Sequence, residues 1–412
     1  MNTSLKKFLL SFGLVVMVPF VVMGQEKIKT SLFSVSDSDE LMEQVRNMPF
    51  LEVGKGVSFT PKNKLFKLTM RFRMQNQLAM QFDDDFSLQE TQAQVKRLRL
   101  RFDGYLYSPK LLYTIQLGFT PYDTKVLPNG NNNFVRDAMV CYRPSDTWNI
   151  GFGQTKIKAN SSSALQFVDR SIVNSEFNPD RDFGFFGEFY KALFADFNLA
   201  AKASVTLGEG RNWAVNKSKG LAYTGRLELF PLGRFKSLGE VAEGDFQREE
   251  SVKFLLAGAF SYNDRTTRVH GQNGAELPSG LMCDLKQYYM DFILKYRGFA
   301  FYTDFMGRIC EKPLFAGHDD VFVYTGKGLN VQTSYLFKKN WEVALRNSTL
   351  FPEKKVQPMV GYKNFNQTTV AVTKYLIGHN LKLQADASYN HRADAADAYN
   401  RWQLRFVLEA GI

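Results

Sequence analysis

The chain has 412 residues, a formal net charge of +11 and an aromatic share of 14%, with 37 Phe and 18 Tyr. Its three cysteines, Cys141, Cys283 and Cys310, lack CxxC spacing and are odd in number, which argues against a disulfide framework and leaves either one pair or three buried or lumen-side thiols. After the first 24 residues no run of about 18 apolar residues occurs, which excludes a spanning helix. A mean hydropathy of −0.27 still suits a spanning barrel, because its strands alternate polar and apolar positions.

Lys6 and Lys7 precede the apolar stretch Phe8–Met23, and the small Gly24 follows. These are the parts of a secretory signal; read instead as an anchor helix, the stretch would be short and interrupted by Pro19. Removal of residues 1–24 leaves a charge of +9 and a start near Gln25. Residues 25–64 are polar and mixed, and are expected to form a periplasmic lead-in. Residues 65–412 are expected to form one β-barrel domain.

From Leu65 the chain becomes a series of alternating segments about ten residues long, separated by Gly, Pro, Asn and Asp clusters. Leu68, Met70, Phe72 and Met74 alternate with Lys67, Thr69, Arg71 and Arg73. The next segment, Gln94–Tyr107, places Arg97, Arg99 and Arg101 on one face, and Leu98, Leu100 and Phe102 on the other. In a soluble sheet the apolar face would pack on a core and the arginines would face water. In a membrane barrel the arginines would enter an aqueous lumen and the leucines would meet lipid. Arg71 and Arg73 make a second basic stripe beside the first.

Further strands are expected at Asp137–Arg143, Trp148–Lys156, Asp182–Lys191, Phe194–Leu207, Ser218–Phe230 and Val252–Asn263. Others follow at Leu285–Arg297, Phe299–Cys310, Gly326–Phe337, Trp341–Asn347, Thr368–Leu376, Asn380–Asn390 and Arg401–Ala410. The total is about sixteen. Tight connections such as 108–110 and 297–299 alternate with long ones such as 120–134 and 264–284, the rhythm of periplasmic turns opposite external loops. A sandwich also gives short strands, but no linker or domain boundary interrupts these. The expected fold is therefore all-β, a transmembrane antiparallel barrel.

Segment 157–182 is long yet carries Leu165, Phe167, Ile172, Val173 and Phe177. A fully solvated loop has no use for these side chains, so the segment is expected to fold inward as a constriction. Asp169, Arg170, Asp180, Arg181 and Asp182 are expected to pair with the wall, and Lys156 and Lys158 sit where the strand enters the loop.

FVDRS (167–171), NPDRDFGFF (178–186), RLELFPLG (226–233), GHNLKLQADASY (378–389) and the arginine-rich LRLRFDGYL (98–106) resemble motifs of the phosphate-selective porin O and P family. The resemblance runs in order across roughly residues 65–412. It implies a sixteen-stranded outer-membrane barrel, commonly a homotrimer, whose narrowed pore passes small anions such as phosphate, with Arg97, Arg99 and Arg101 as wall cations. The family's lysine cluster has no clear counterpart here, and the chain ends in Ile412 where such barrels usually end in an aromatic residue.

No GxxxxGK, GxSxG or HExxH pattern occurs, and His270, His318, His379 and His391 are scattered. No catalytic residue, metal or cofactor is expected. The expected partners are small anionic solutes and the lipids of a Gram-negative outer membrane, not nucleic acid. The alternative is a secreted soluble β-rich protein that binds acidic glycans or surface polymers.

Overall fold

In a computed structural model of the chain, residues 50–52, 56–126, 132–161, 167–194, 196–211, 218–318, 320–395 and 401–412 are described. They form a closed antiparallel barrel of sixteen strands. In order these are β1 (Phe66–Phe82), β2 (Leu88–Leu106), β3 (Ser108–Gly118), β4 (Val135–Tyr142), β5 (Trp148–Lys156), β6 (Arg181–Phe194), β7 (Phe197–Thr206) and β8 (Ala222–Phe230). The second half comprises β9 (Lys253–Thr266), β10 (Cys283–Tyr296), β11 (Phe299–Ile309), β12 (Gly326–Leu336), β13 (Trp341–Pro352), β14 (Asn364–Ile377), β15 (Leu381–Ala393) and β16 (Arg401–Gly411). Each strand pairs with its neighbour in sequence. Pairing of β16 with β1, from Trp402↔Phe82 to Gly411↔Arg73, closes the ring. Closure removes the sheet edge, so every ladder group has a partner without water.

Alternation along each strand fixes what faces where. On β13, Glu342, Ala344, Arg346 and Ser348 are buried, whereas Trp341, Val343 and Leu345 are exposed. On β16, Arg405, Val407 and Glu409 are buried and Leu408 is exposed. Polar side chains fill the inside and apolar ones cover the outside, the inverse of a soluble sandwich. The outer face includes Phe185 at 62% and Met290 at 59% exposure; such a surface is stable only against acyl chains.

Three departures from the expected layout have physical causes. Residues 56–59 of the lead-in are a strand already paired with β1, through Val57↔Met70 and its neighbours. β13 and β14 run past their expected ends to Pro352 and back to Asn364. There the outward residues Asn347, Asn366 and Thr368 bond to one another, so the ladder continues where hydrophobic alternation stops. Third, Arg181 pairs with Lys156 and Asp182 with Thr155, which places Lys156, Arg181 and Asp182 in the wall and shortens the loop to 157–180. The proposed signal (1–24) and most of the lead-in, with Leu165 of the loop, lie outside the described residues.

The loop after β5 enters the lumen and carries the helix α1 (Ile172–Phe177), capped by Ser171, whose hydroxyl accepts from the Asn174 amide at 3.0 Å. Val173 and Phe177 are fully buried against Tyr289, Met306, Tyr324 and Leu350 of the opposite wall and its loop. Burial of each such side chain stabilises docking by roughly 1.5–3 kcal/mol. Gly328 on β12 makes room: a Cβ there would come within 2.8 Å of a Val173 methyl. The inward constriction loop expected from Phe167, Ile172, Val173 and Phe177 is thus present.

Candidate functional site

Where α1 and its flanks cross the lumen, they leave a cavity of about 280 Å³ against β1, β2 and β4. Eight cationic side chains line it: Arg73, Lys96, Arg97, Arg99, Arg136, Arg170, Arg211 and Lys382. Three carboxylates, Asp123, Asp169 and Asp180, face them. Cations outnumber anions in this cavity beside the loop, in a setting where low dielectric strengthens each charge.

The two basic stripes meet in direct register. Arg71 faces Arg101, Arg73 faces Arg99, and Gln75 faces Arg97 across β1 and β2. Their fates differ. Arg71 and Arg101 both bind Asp103, the latter at 2.8 Å, and neither lines the cavity. Arg73 pairs with Glu409 at 2.6 Å. Arg99 grips Asp123 through two bonds of 2.9 and 2.7 Å, a fork geometry peculiar to guanidinium. Among the described residues, Arg97 alone of the five meets no carboxylate at bonding distance. It donates to the neutral Gln75 side chain and, at 3.3 Å, to the Val168 carbonyl.

A β-bulge adds a residue that simple alternation assigns to the wrong face. Between Gln75↔Arg97 and Asn76↔Val95 the ladder skips Lys96. A bulge reverses the parity of the strand: Val95, which shares the arginine positions by period-two counting, is 48% exposed on the outer face, and Lys96 turns inward. Its ammonium binds Asp169 at 2.5 Å, and Arg405 binds the same carboxylate at 2.9 Å.

Much of the remaining charge holds the loop in place. Arg346 donates to the Asp169 carbonyl at 2.9 Å, Arg226 to the Ala159 carbonyl at 2.8 Å, and Arg308 to the Glu176 carbonyl at 2.7 Å. Arg181 is committed to Asp137 and Asp180. Asp182 accepts from the Gly208 amide at 2.7 Å, which anchors the next external loop. Lys156 donates to Asn160 at 3.3 Å, and Lys158 pairs with Glu188; neither lines the cavity. Of the charged residues expected in the loop, Asp169, Arg170 and Asp180 do. Arg170 makes no direct hydrogen bond or ion pair among the described residues, although it lies in the field of Asp180.

The three carboxylates of the cavity titrate below their ordinary range. Burial pushes Asp123 up, but Arg99, Arg136 and Arg97 outweigh it and hold the group below its ordinary value. Burial also raises Asp169, and Lys96 and Arg405 more than reverse the effect. For Asp180 the same contest, won by Arg181, Arg170 and Arg211, leaves the carboxyl well below the carboxylate range. Arg136, Arg211, Lys382 and Asp123 were not singled out by the sequence. Arg136 precedes an expected strand start and Arg211 lies in a Gly-rich loop, so neither belongs to an alternating basic stripe. Lys382 had a signal, since Lys382, Gln384, Asp386 and Ser388 alternate with apolar residues on β15.

Residues 66–226 match the family model described as Phosphate-selective porin O and P. The family is the one the sequence motifs resemble. Beyond 226 the resemblance, including 378–389, lies outside the matched span. No curated protein matches the chain. Among solved structures, the outer-membrane channel DcaP of Acinetobacter baumannii is 11% identical over 87% of this chain and 100% of its own, with a TM-score of 0.53. OmpT of Vibrio cholerae in its trimer form is 9% identical over 84% and 99%, at 0.52. An anion-selective porin from Comamonas acidovorans is 10% identical over 84% and 100%, at 0.50. At these identities what is shared is the fold of outer-membrane porins.

Proposed function

We propose that the chain is an outer-membrane porin for passive diffusion of small solutes, biased toward anions such as phosphate. One observation carries the reading: a cavity with eight cations and three carboxylates, in which Arg97 and Arg170 lack a bonded counter-charge among the described residues. An entering oxoanion completes their coordination. A guanidinium suits this role because it offers paired donors and does not deprotonate. Spacing the cations along the wall lets an anion pass between sites instead of being trapped.

The match of residues 66–226 to a porin family model and the porin fold favour a channel over an enzyme. The trimer form of OmpT is a precedent for assembly, and we infer a homotrimer in the outer membrane of a Gram-negative cell after loss of residues 1–24. Arg99 and Arg73 support the field while their own charge is largely spent on Asp123 and Glu409. Arg71 and Arg101 stiffen the wall through Asp103.

The test is a planar-bilayer conductance series in chloride, sulfate and phosphate salts of one cation. Channels whose current depends on the anion are expected. Absence of channels, or currents that follow the cation alone, would overturn the proposal. The soluble glycan-binding alternative requires the apolar outer face to contact water, and recovery from the periplasm without detergent would favour it.

A further inference from the structure

Arg97 meets no carboxylate at bonding distance among the described residues, yet two carboxylates lie close to it. Its guanidinium donates at 3.3 Å to the Val168 carbonyl, the peptide group that leads into Asp169. Its other bond goes to the Gln75 oxygen, and the nitrogen of the same amide donates on to Glu409 at 2.9 Å. A guanidinium and a carboxylate at such range, partly shielded from water, attract each other strongly. Their separation therefore has a cause in the surrounding side chains.

Asp169 is held at both oxygens. Lys96 binds Oδ1 at 2.5 Å and Arg405 binds Oδ2 at 2.9 Å. Arg405 is itself fixed by Asp386 at 2.7 Å and by Ser388 at 3.1 Å. Lys96 is in place only because of the bulge. Consecutive residues of a regular strand point to opposite faces, whereas Lys96 and Arg97 both line the cavity. The Thr120 hydroxyl donates to the Lys96 carbonyl at 3.0 Å, which occupies an acceptor of the residue the ladder skips. The extra residue thus gives Asp169 a cation of its own, one position from the arginine it would otherwise cap. Glu409 is kept off in a similar way. Arg73 binds it at 2.6 Å, and the neutral Gln75 stands between it and Arg97.

We propose that Lys96 is a positioning residue for anion passage: by holding Asp169, it keeps the Arg97 guanidinium open to an anion in transit. This rests on the reading of the chain as an anion-biased porin. A carboxylate of the chain and a passing anion compete for the same N–H donors. Released from Lys96, the tethered carboxylate wins that contest, because its effective concentration beside Arg97 far exceeds that of any solute.

The experiment is a double-mutant cycle in planar bilayers under a KCl gradient, read as the chloride-to-potassium permeability ratio. Lys96→Met is expected to lower the ratio about three- to tenfold, as the freed carboxylate turns to Arg97. Asp169→Asn breaks the same ion pair but is expected to raise the ratio, by up to about twofold. In the Asp169→Asn background, Lys96→Met should lower the ratio by less than about twofold. A role in loop docking alone moves both single variants in the same direction. A simple contribution of charge gives Lys96→Met the same effect in both backgrounds. Either result overturns the proposal. Should the Met variant fail to insert, Lys96→Gln repeats the cycle with the same inequality expected. A wild-type pore without anion preference defeats the functional reading; a wild-type preference with equal Lys96 effects in the two backgrounds defeats only this inference.

Discussion

At the scale of single residues, the partner of an arginine matters more than its position in a stripe. Arg97, Arg99 and Arg101 share one face of β2, but they meet Gln75, Asp123 and Asp103 respectively. Arg97→Ala is therefore expected to reduce the chloride-to-potassium permeability ratio by roughly three- to tenfold, tenfold being about 1.4 kcal/mol. Arg101→Ala should alter it less than about twofold, because Asp103 retains Arg71 and the local charge nearly balances. Zero-current potentials of the two variants check this, and equal effects would mean that carboxylate pairing does not decide which cation acts. Arg99→Ala is a poorer probe, since it also releases Asp123. The sequence showed the arginine face and Asp103 two residues beyond Arg101, but not Gln75 of the paired strand β1 or Asp123 of the following loop. Nor did it show Lys96, because a bulge has no hydrophobic signature and moves a lysine inward by one skipped pairing.

At the scale of elements, the loop 157–180 depends on few contacts of high value. Gly328→Leu drives a side chain into Val173, and Phe177→Ala removes a ring buried between Tyr324 and the Arg308 guanidinium. The latter is expected to cost the docked loop about 3–5 kcal/mol. Both variants should give wider, noisier channels while the barrel keeps its resistance to unfolding in detergent; a quiet channel of wild-type conductance would contradict the packing described. Acid should act through the carboxylates. Asp169 and Asp180 titrate below their unfolded values, so the stabilisation they supply is complete above the ordinary carboxylate pKa. It is lost as pH falls through the lower folded values. Channel recordings should be unchanged between pH 7 and 5, with loop-opening noise appearing only below about pH 4. Noise that rises already at pH 6 would point to another group. The inward loop was legible because apolar residues in a long connection demand burial. The connection 231–252 carries the same signal in Leu232, Phe235, Leu238, Val241 and Phe246 but went unread beside its charges; it packs on the wall, where Lys295 of β10 holds the carbonyls of Gly239, Ala242 and Gly244.

At the scale of the whole molecule, sixteen strands were countable because lipid outside and water inside impose period-two alternation on every strand. Trp148–Lys156 and the starts of β11, β12 and β13 were placed to the residue. Errors gathered at strand ends beyond the apolar band, where outward Asn and Thr replace leucine and the ladder continues unseen. The same alternation explains how a chain with a slightly negative mean hydropathy presents a continuous apolar exterior. Its buried polar residues form a wall of ion pairs, such as Arg226 with Asp291 and Arg405 with Asp386. Fluorescence offers a test of this inside-out arrangement. Trp148 and Trp341 are 47% and 41% exposed on the outer face, so brominated lipids should quench much of the tryptophan emission and aqueous iodide little. The reverse would mean that the apolar face does not meet acyl chains.

The central claim is that the excess of cations in the lumen selects the sign of what crosses. The most direct measurement is the zero-current potential of single wild-type channels across an approximately tenfold KCl gradient. The account predicts a potential of the sign set by chloride moving ahead of potassium, shrinking as salt rises and screens the lining charges. A potential of the potassium sign, or one fixed at zero at every salt concentration, would contradict it.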